Sequence, residues 1–354
     1  GIRAIDETKK FFKPSLSDLH DPFLMPDMDK AVKRLNHALG NKERILIYGD
    51  YDVDGTTAVA LVYKFLSHYT SPSSLDYYIP DRYDEGYGIS FKGIDYAYDN
   101  GITLIIALDC GIKAIDKVEY ATEKGIDFII CDHHMPDETL PAAVAVLDAK
   151  RPDSTYPYEH LSGCGVGFKF MQAFAKSNGL SMNKLEKLLE LTAVSIAADI
   201  VPITGENRIL TYFGLKQLNS HPSVGMKGII NVCGLTDKEI GISDVIFKIG
   251  PRINASGRMM NGKEAVDLLL SKDAKEAKEK SKNIDQYNED RRELDKKITD
   301  EANAIIDGFA NIEDRKAMVV YNPDWHKGVI GIVASRMTER YFRPSVVLTK
   351  SNDL

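Results

Sequence analysis

Cysteine is scarce, and the few that occur are badly spaced for either of its structural uses. The thiols Cys110, Cys131, Cys164 and Cys233 are the only four in 354 residues, and they form no C-x-x-C pair. That spacing argues against a zinc module or a disulfide frame and reads as reduced core thiols of a cytoplasmic protein. No apolar run approaches the roughly 18 residues that a membrane span needs, and the N-terminus shows no secretory pattern. The chain begins with Gly rather than Met, so a native start upstream is expected. Positive charge is also short: 45 Lys and Arg face 52 Asp and Glu, a net charge of -7. This is no broadly basic nucleic-acid coat. A local groove stays open to it, because counterion release depends on the lysines and arginines that touch phosphate. The remainder, 44% hydrophobic and 27% charged, is a globular chain with length for about two domains.

Residues 1–40 read as an irregular arm and a helix that starts near Asp27 or Asp29 and ends at Gly40. Five short apolar runs follow between helical stretches: "RILIYGD", "LDYYIPD", "ITLIIALD", "DFIICD" and "AVAVLD". Such alternation predicts an α/β fold with a doubly wound, mainly parallel sheet. The unbroken apolar character of "LIIAL" and "FII" fits strands covered on both faces. Residues 184–199 read as a helix, closed ahead of Pro202. The segment "GPRINASGRMMNG" reads as a Gly-rich loop that ends the domain spanning residues 41–262. From 263 to 309 charge dominates over a sparse stripe of Ala274, Ala277, Ile284, Leu294, Ile298, Ala302, Ile305 and Phe309. This predicts a long connecting helix, roughly 60–70 Å if unbroken, with a coiled-coil surface as the alternative role. "AMVVYN", "KGVIGIVASRMTERY" and "SVVLT" then open a second α/β domain over 310–354. One β-α-β unit cannot close a core, so the chain is expected to stop inside that domain.

Acidic residues gather where the strands end: Asp50, Asp52 and Asp54; Asp81; Asp109; Asp132 beside His133 and His134; and Asp148. In an open parallel sheet, reactive groups collect beyond these carboxyl ends. Two unit charges about 5 Å apart repel by about 3 kcal/mol at an effective dielectric near 20. Several such pairs force protons onto some carboxylates or require bound cations. Oxygen ligands with an imidazole or two suit Mg²⁺ or Mn²⁺, the histidine tilting the choice to Mn²⁺. An EF-hand is a poor match for "DYDVDG", since position twelve from Asp50 is Leu61 and a strand comes before the loop. A haloacid-dehalogenase-type phosphatase shares "DVDGT" but needs a terminal G-D-x-x-x-D, which is missing.

"YGDYDVDGTT", "ALDCGI", "CDHHMP" and "AADIVP" occur in the order and relative spacing of the DHH phosphoesterase superfamily. Within it the chain resembles the RecJ-type single-strand DNA exonucleases, through "DLHDPFLMPDMDKAV", "IPDRYDEGYGIS", "GPRINASGRM" and "WHKGVIGIVASRMTERYFRP". It departs at Tyr48, where that group often has His. The rest of the DHH-associated domain, with its Ser/Arg-rich segment for 5′ ends, and an OB-fold lie outside this sequence. The resemblance implies stepwise hydrolysis of single-stranded DNA from the 5′ end to 5′-mononucleotides, in DNA repair and recombination, with two Mn²⁺ or Mg²⁺ ions. It implies that Asp109 bridges the ions, that Asp52 serves one, and that Asp54, His133 and Asp199 serve the other. His134 is then a phosphate contact. Asp50 and Asp132 orient the ligands and a histidine tautomer from behind, although a cap or turn role suits Asp50 and a salt bridge at a helix end suits Asp199. The i, i+2 spacing of Asp52 and Asp54 calls for a turn, which Gly55 permits.

Arg82, Arg252 and Arg258 are candidates for substrate phosphates, with Asn254 and Ser256 on an anion nest between Gly250 and Gly257. The alternative is a structural loop tied by arginine to nearby carboxylates. His326 and Lys327 stand before a helix whose start favours an anion, or simply begin it. Tyr83 and Tyr87 suit stacking on unpaired bases, or packing. Helicases and a single-strand-binding protein are the partners the family implies, around a monomer. Other readings are an oligoribonuclease or manganese pyrophosphatase of the same superfamily, and a non-catalytic scaffold that keeps the fold. Turnover on long single-stranded DNA, dinucleotides and pyrophosphate separates the first two; failure to bind Mn²⁺ favours the last.

Overall fold

The computed structural model of the protein describes residues 5–309 and 312–351. The apolar runs become five parallel strands: β1 (Arg44–Gly49), β2 (Leu75–Tyr78), β3 (Ile102–Leu108), β4 (Asp127–Cys131) and β5 (Ala145–Leu147). Their order is β2-β1-β3-β4-β5. Side chains alternate between two cores, as a two-residue repeat requires. Ile45, Ile47, Leu104, Ile106 and Ile129 face one core, while Leu46, Tyr48, Ile105, Ala107 and Ile130 face the other. The first core is closed by the Val53–Leu66, Gly163–Ser177 and Leu189–Ala198 helices; the second is smaller and takes in residues of Phe91–Asp99 and Ile115–Glu123. Cys110, Cys131 and Cys164 are buried, Cys233 is half-buried, and all four thiols are free. Among the described residues no helix is long and apolar enough to cross a membrane.

The chain leaves β1 on one side to form β2 and returns on the other to form β3. That reversal opens a crevice beyond the carboxyl ends of β1 and β3, the place where sheets of this order bind ligands. Tyr48 explains its own departure from the motif. It points away from the crevice into the second core, where its hydroxyl donates to Gly88 O at 3.0 Å and accepts from Ser90 N at 3.1 Å.

Three sequence expectations need correction. The first is that "GPRINASGRM" is helix (Gly250–Met259), with Pro251 in its first turn, and not a loop with an anion nest. Its glycines serve close approach: a Cβ on Gly257 would lie 2.6 Å from Tyr51 O. The second is the run 263–309, which breaks into helices Lys263–Leu270 and Ala274–Asp307, because Ser271 turns extended and Asp273 caps the second through the Lys275 and Glu276 amides. At 1.5 Å per residue the long helix spans about 51 Å. Its buried stripe ends on Ile298, Ala302 and Ile306, while Ile305 is partly exposed. The third is that residues 184–199 form two helices, Asn183–Glu186 and Leu189–Ala198.

The long helix belongs to both halves of the molecule. Ala277 and Ile284 enter the first core. Ile298, Ala302 and Ile306 pack with Trp325, Val329, Val333 and Met337 in a third. There β6 (Met318–Tyr321) and β7 (Ser345–Leu348) pair in parallel around the Lys327–Tyr341 helix.

Candidate metal centre

The loop after β1 sets two carboxylates by helix geometry. Asp52 is the N-cap of Val53–Leu66, accepting from Gly55 N at 3.0 Å, and Asp54 lies in the first turn. Gly55 is helical, so its role is not to permit a turn. A Cβ there would lie 2.4 Å from Asp50 O, so only glycine lets the loop fold this tightly onto the helix. Asn254 reaches across from its own helix and accepts from Val53 N at 3.1 Å, locking the same helix start. Asp109 follows β3 with φ of +61°, a left-handed conformation that turns its side chain out of the strand line.

Four elements converge. His133 Nε2 lies 3.1 Å from Asp109 Oδ1, 3.6 Å from Asp199 Oδ2 and 3.7 Å from Asp54 Oδ2. Ligand-type atoms of Asp54, His133 and Asp199, and of Asp109, His133 and His134, cluster within 4.8 Å of one another. Yet Asp109 Oδ1 and both His133 ring nitrogens, all buried, have no hydrogen bond of acceptable geometry. Closeness without alignment leaves these groups needing a partner.

The electrostatics agree. Burial, then the Asp54 and Asp52 carboxylates, raise Asp109 well above the ordinary range. Burial and Asp54 raise Asp52. Burial and Asp52 push Asp50 up to about 7, and burial with Asp54 pushes Asp199 up to about 7. Burial holds His133 low. A divalent cation would offset the penalty on each raised carboxylate and take the neutral imidazole that burial already favours at His133, so the residues present fit one.

Asp132 is different in kind. Burial alone raises it, but the His134 hydrogen bond and backbone amides outweigh burial and hold it low. Its Oδ1 takes the His133 and His134 amides and His134 Nδ1, the last at 2.7 Å, and its Oδ2 takes Ile112 N. That bond raises His134. The His134 Nε2 then faces outward, 3.3 Å from the Tyr87 hydroxyl.

The remaining candidates divide. Arg82 stacks over Tyr51 at 4.9 Å, and Tyr51, Tyr87 and His134 continue edge to face along the rim. Arg258 lines a cavity of about 180 Å³ with Arg291, Asn254, Ala198 and Ile332, between the two halves. Neither arginine pairs with a carboxylate within 4.0 Å among the described residues, and Arg291 Nε has no partner. Burial, then neighbouring arginines, lower Arg258. Arg252 instead binds Asp285 at 2.7 Å, an arginine–carboxylate tie made from a helix and not from the loop expected. Ser256 is buried and donates to Ile253 O. His326 caps the Lys327–Tyr341 helix through Gly328 N, and Tyr83 donates to Arg258 O. Asp81 is an internal turn residue, accepting from Tyr83 and Asp84 amides. Asp148 is buried and accepts from Lys150 N.

Several site residues were not singled out in the sequence. Gly163 and Cys164 amides and the Ser195 hydroxyl grip Asp54, and Lys150 Nζ holds His133 O. "SGCGVG" offered one signal, small residues opening a helix; Ser195 and Lys150 offered none.

The DHH family, N-terminal domain, matches residues 44–196. The single-stranded-DNA-specific exonuclease RecJ of Bacillus subtilis is 37% identical over 98% of this chain and 43% of that protein. The one from Escherichia coli is 33% identical over 100% of this chain and 62% of that protein. The chain thus spans about half the length of the curated relatives it matches. A crystal structure of exonuclease RecJ bound to manganese superposes with a TM-score of 0.82 at 31% identity, over 95% of this chain and 82% of that one. With its crevice, its carboxylate cluster and these matches together, the chain belongs to the DHH family, in its RecJ branch.

Proposed function

We propose that this chain is the catalytic portion of a metal-dependent exonuclease. It hydrolyses single-stranded DNA from the 5′ end to 5′-mononucleotides, in cytoplasmic DNA repair and recombination. The observation that carries the reading is the gathering of Asp54, Asp109, His133 and Asp199 from four separate elements within one crevice, in a chain whose relatives are named single-stranded-DNA-specific exonucleases.

Asp52, Asp54, Asp109, His133 and Asp199 would hold two Mn²⁺ or Mg²⁺ ions, Asp109 serving both. Bound there, such ions supply Lewis acidity toward a phosphate oxygen and acidify the attacking water. The chain's own groups do the rest. Asp50 is buried near enough to Asp52 to be raised by its charge, which suits a supporting role behind the ligands. Asp132 fixes the His134 tautomer and favours its imidazolium, so that Nε2–H donates to a phosphate oxygen. Arg82 and Arg258 take further phosphates. Exposed Tyr87, with Tyr51, offers ring faces to unpaired bases without regard to sequence. Arg252, Asn254, Ser256 and His326 are spent on internal bonds, so they support the walls of the site rather than grip DNA. Helicases and a single-strand-binding protein are the partners this reading implies.

The test is Mn²⁺-dependent digestion of 5′- and 3′-labelled single strands, duplex, dinucleotides and pyrophosphate. Single strands should be lost from the 5′ end, and Asp109→Ala should lower the rate by about 10³-fold or more. Equal attack on duplex, preferred turnover of dinucleotides or pyrophosphate, or near-wild-type Asp109→Ala would reject the reading.

A further inference from the structure

Asp54 is buried with both carboxylate oxygens already engaged. Oδ1 accepts from the Cys164 amide and from the Ser195 hydroxyl, each at 2.7 Å, and Oδ2 accepts from the Gly163 amide at 2.7 Å. Ser195 has a second neighbour, Ser162, at 2.6 Å between the hydroxyl oxygens. Ser162 Oγ in turn accepts from Gly165 N at 3.1 Å. Both serines are fully buried.

Proton counting fixes the direction of this chain. A hydroxyl has one proton to give, and an ionised carboxylate only accepts. The Ser195 proton therefore points at Asp54, so the proton between the two serines comes from Ser162. Donation runs one way: Gly165 N–H to Ser162, Ser162 O–H to Ser195, Ser195 O–H to Asp54. Bonds aligned in one sense polarise each other, most strongly where water is excluded. The result is lopsided. Oδ1 is pinned by two donors, while Oδ2 has one and lies toward His133 Nε2, 3.7 Å away.

We propose that the Ser162–Ser195 pair is a positioning device for metal binding, which anchors Oδ1 of Asp54 and presents Oδ2 to a cation shared with His133 and Asp199. The inference rests on reading that cluster as a divalent-metal site. Neither serine touches DNA or reacting atoms; both act through Asp54. A serine pair that merely satisfied core polarity would alter thermal stability and leave metal affinity alone.

The experiment is calorimetric Mn²⁺ titration without DNA on wild type, Ser195→Ala and Ser162→Ala, with melting temperatures in EDTA. Ser195→Ala should weaken Mn²⁺ binding by about 10- to 100-fold. Ser162→Ala, which leaves the Ser195 hydroxyl but unfixes its direction, should weaken it by about threefold or more. Raised Mn²⁺ should restore single-strand hydrolysis in both to near the wild-type kcat, a rescue that a folding defect does not show. Wild-type Mn²⁺ affinity in folded Ser195→Ala overturns the proposal. If that variant does not fold, unchanged affinity in Ser162→Ala overturns it equally. Wild type that binds Mn²⁺ but spares single strands removes the proposed nuclease and leaves the serine result standing. Cleavage by wild type with unchanged affinity in both variants removes the serines alone.

Discussion

Gly163 leaves no room beside Asp109. A Cβ on this glycine would lie 2.6 Å from both Asp109 Cβ and Asp109 Oδ1. Gly163 also begins the helix whose amides hold Asp54. One residue without a side chain thus sets the distance between two carboxylates from different strand ends.

Gly163→Ala is therefore expected to damage the site out of proportion to its size. The added methyl should cost about 1–3 kcal/mol of stability and weaken Mn²⁺ binding by about tenfold or more as Asp109 is displaced. Chemical denaturation and Mn²⁺ titration measure the two effects separately. A variant with wild-type metal affinity would show that Asp109 does not need its present position.

Stability of the metal-free protein should fall as pH rises. Asp50 and Asp199 are pushed up to about 7 from an ordinary 3.8, and Asp52 and Asp109 are also raised. Between about 4 and 7 the folded state holds more protons than the unfolded chain. The stability these groups confer is thus complete below the window and lost through it. Asp21 and Asp27, held below their ordinary value, act only at lower pH. His133, held low by burial, opposes the trend with a single proton. Melting temperature in EDTA should drop from pH 5 to 7.5, and saturating Mn²⁺ should flatten the profile. Asp109→Asn needs no proton to be neutral, so its advantage over wild type in EDTA should grow with pH, by at most about 1.4 kcal/mol per unit. A flat wild-type profile in EDTA would contradict the cluster's raised carboxyls.

The arginines should separate by function. On an Asp109→Ala background, Arg82→Ala and Arg258→Ala should each weaken single-strand binding by about 5- to 50-fold and reduce the salt slope by about one. Arg252→Ala should leave DNA affinity within about twofold and cost about 1–2 kcal/mol, since its bond to Asp285 is half-buried. Fluorescence anisotropy over a salt series decides. A salt slope altered by Arg252→Ala would return that residue to the DNA path.

The sheet was legible because fully covered strands need unbroken apolar runs, and β1, β3 and β4 had them. The crevice followed, since Asp50, Asp52, Asp54, Asp109 and Asp132 end those runs. Glycine misled where its role is contact rather than conformation: Gly257 and Gly55 are helical and exist for what lies against them. Ser195 could not be seen at all, and Gly163 only as one of several small residues opening a helix, because a hydroxyl or a missing side chain gains meaning only from a partner more than 50 residues away. The stripe on the long helix slipped from Ile305 to Ile306, a shift of about 100° that only the opposing Trp325 lobe decides.

That helix also acts as a ruler and a protractor. Its first half is rooted among the Val224–Val232, Gly250–Met259 and Lys263–Leu270 helices of the first core and its last turns in the Trp325 lobe, so spacing and azimuth between the lobes depend on residue number. Adding a single residue midway would swing the distal lobe by about 100° and shift it by about 1.5 Å, whereas seven would nearly restore its bearing. Natural length variation here should accordingly come in near-whole turns.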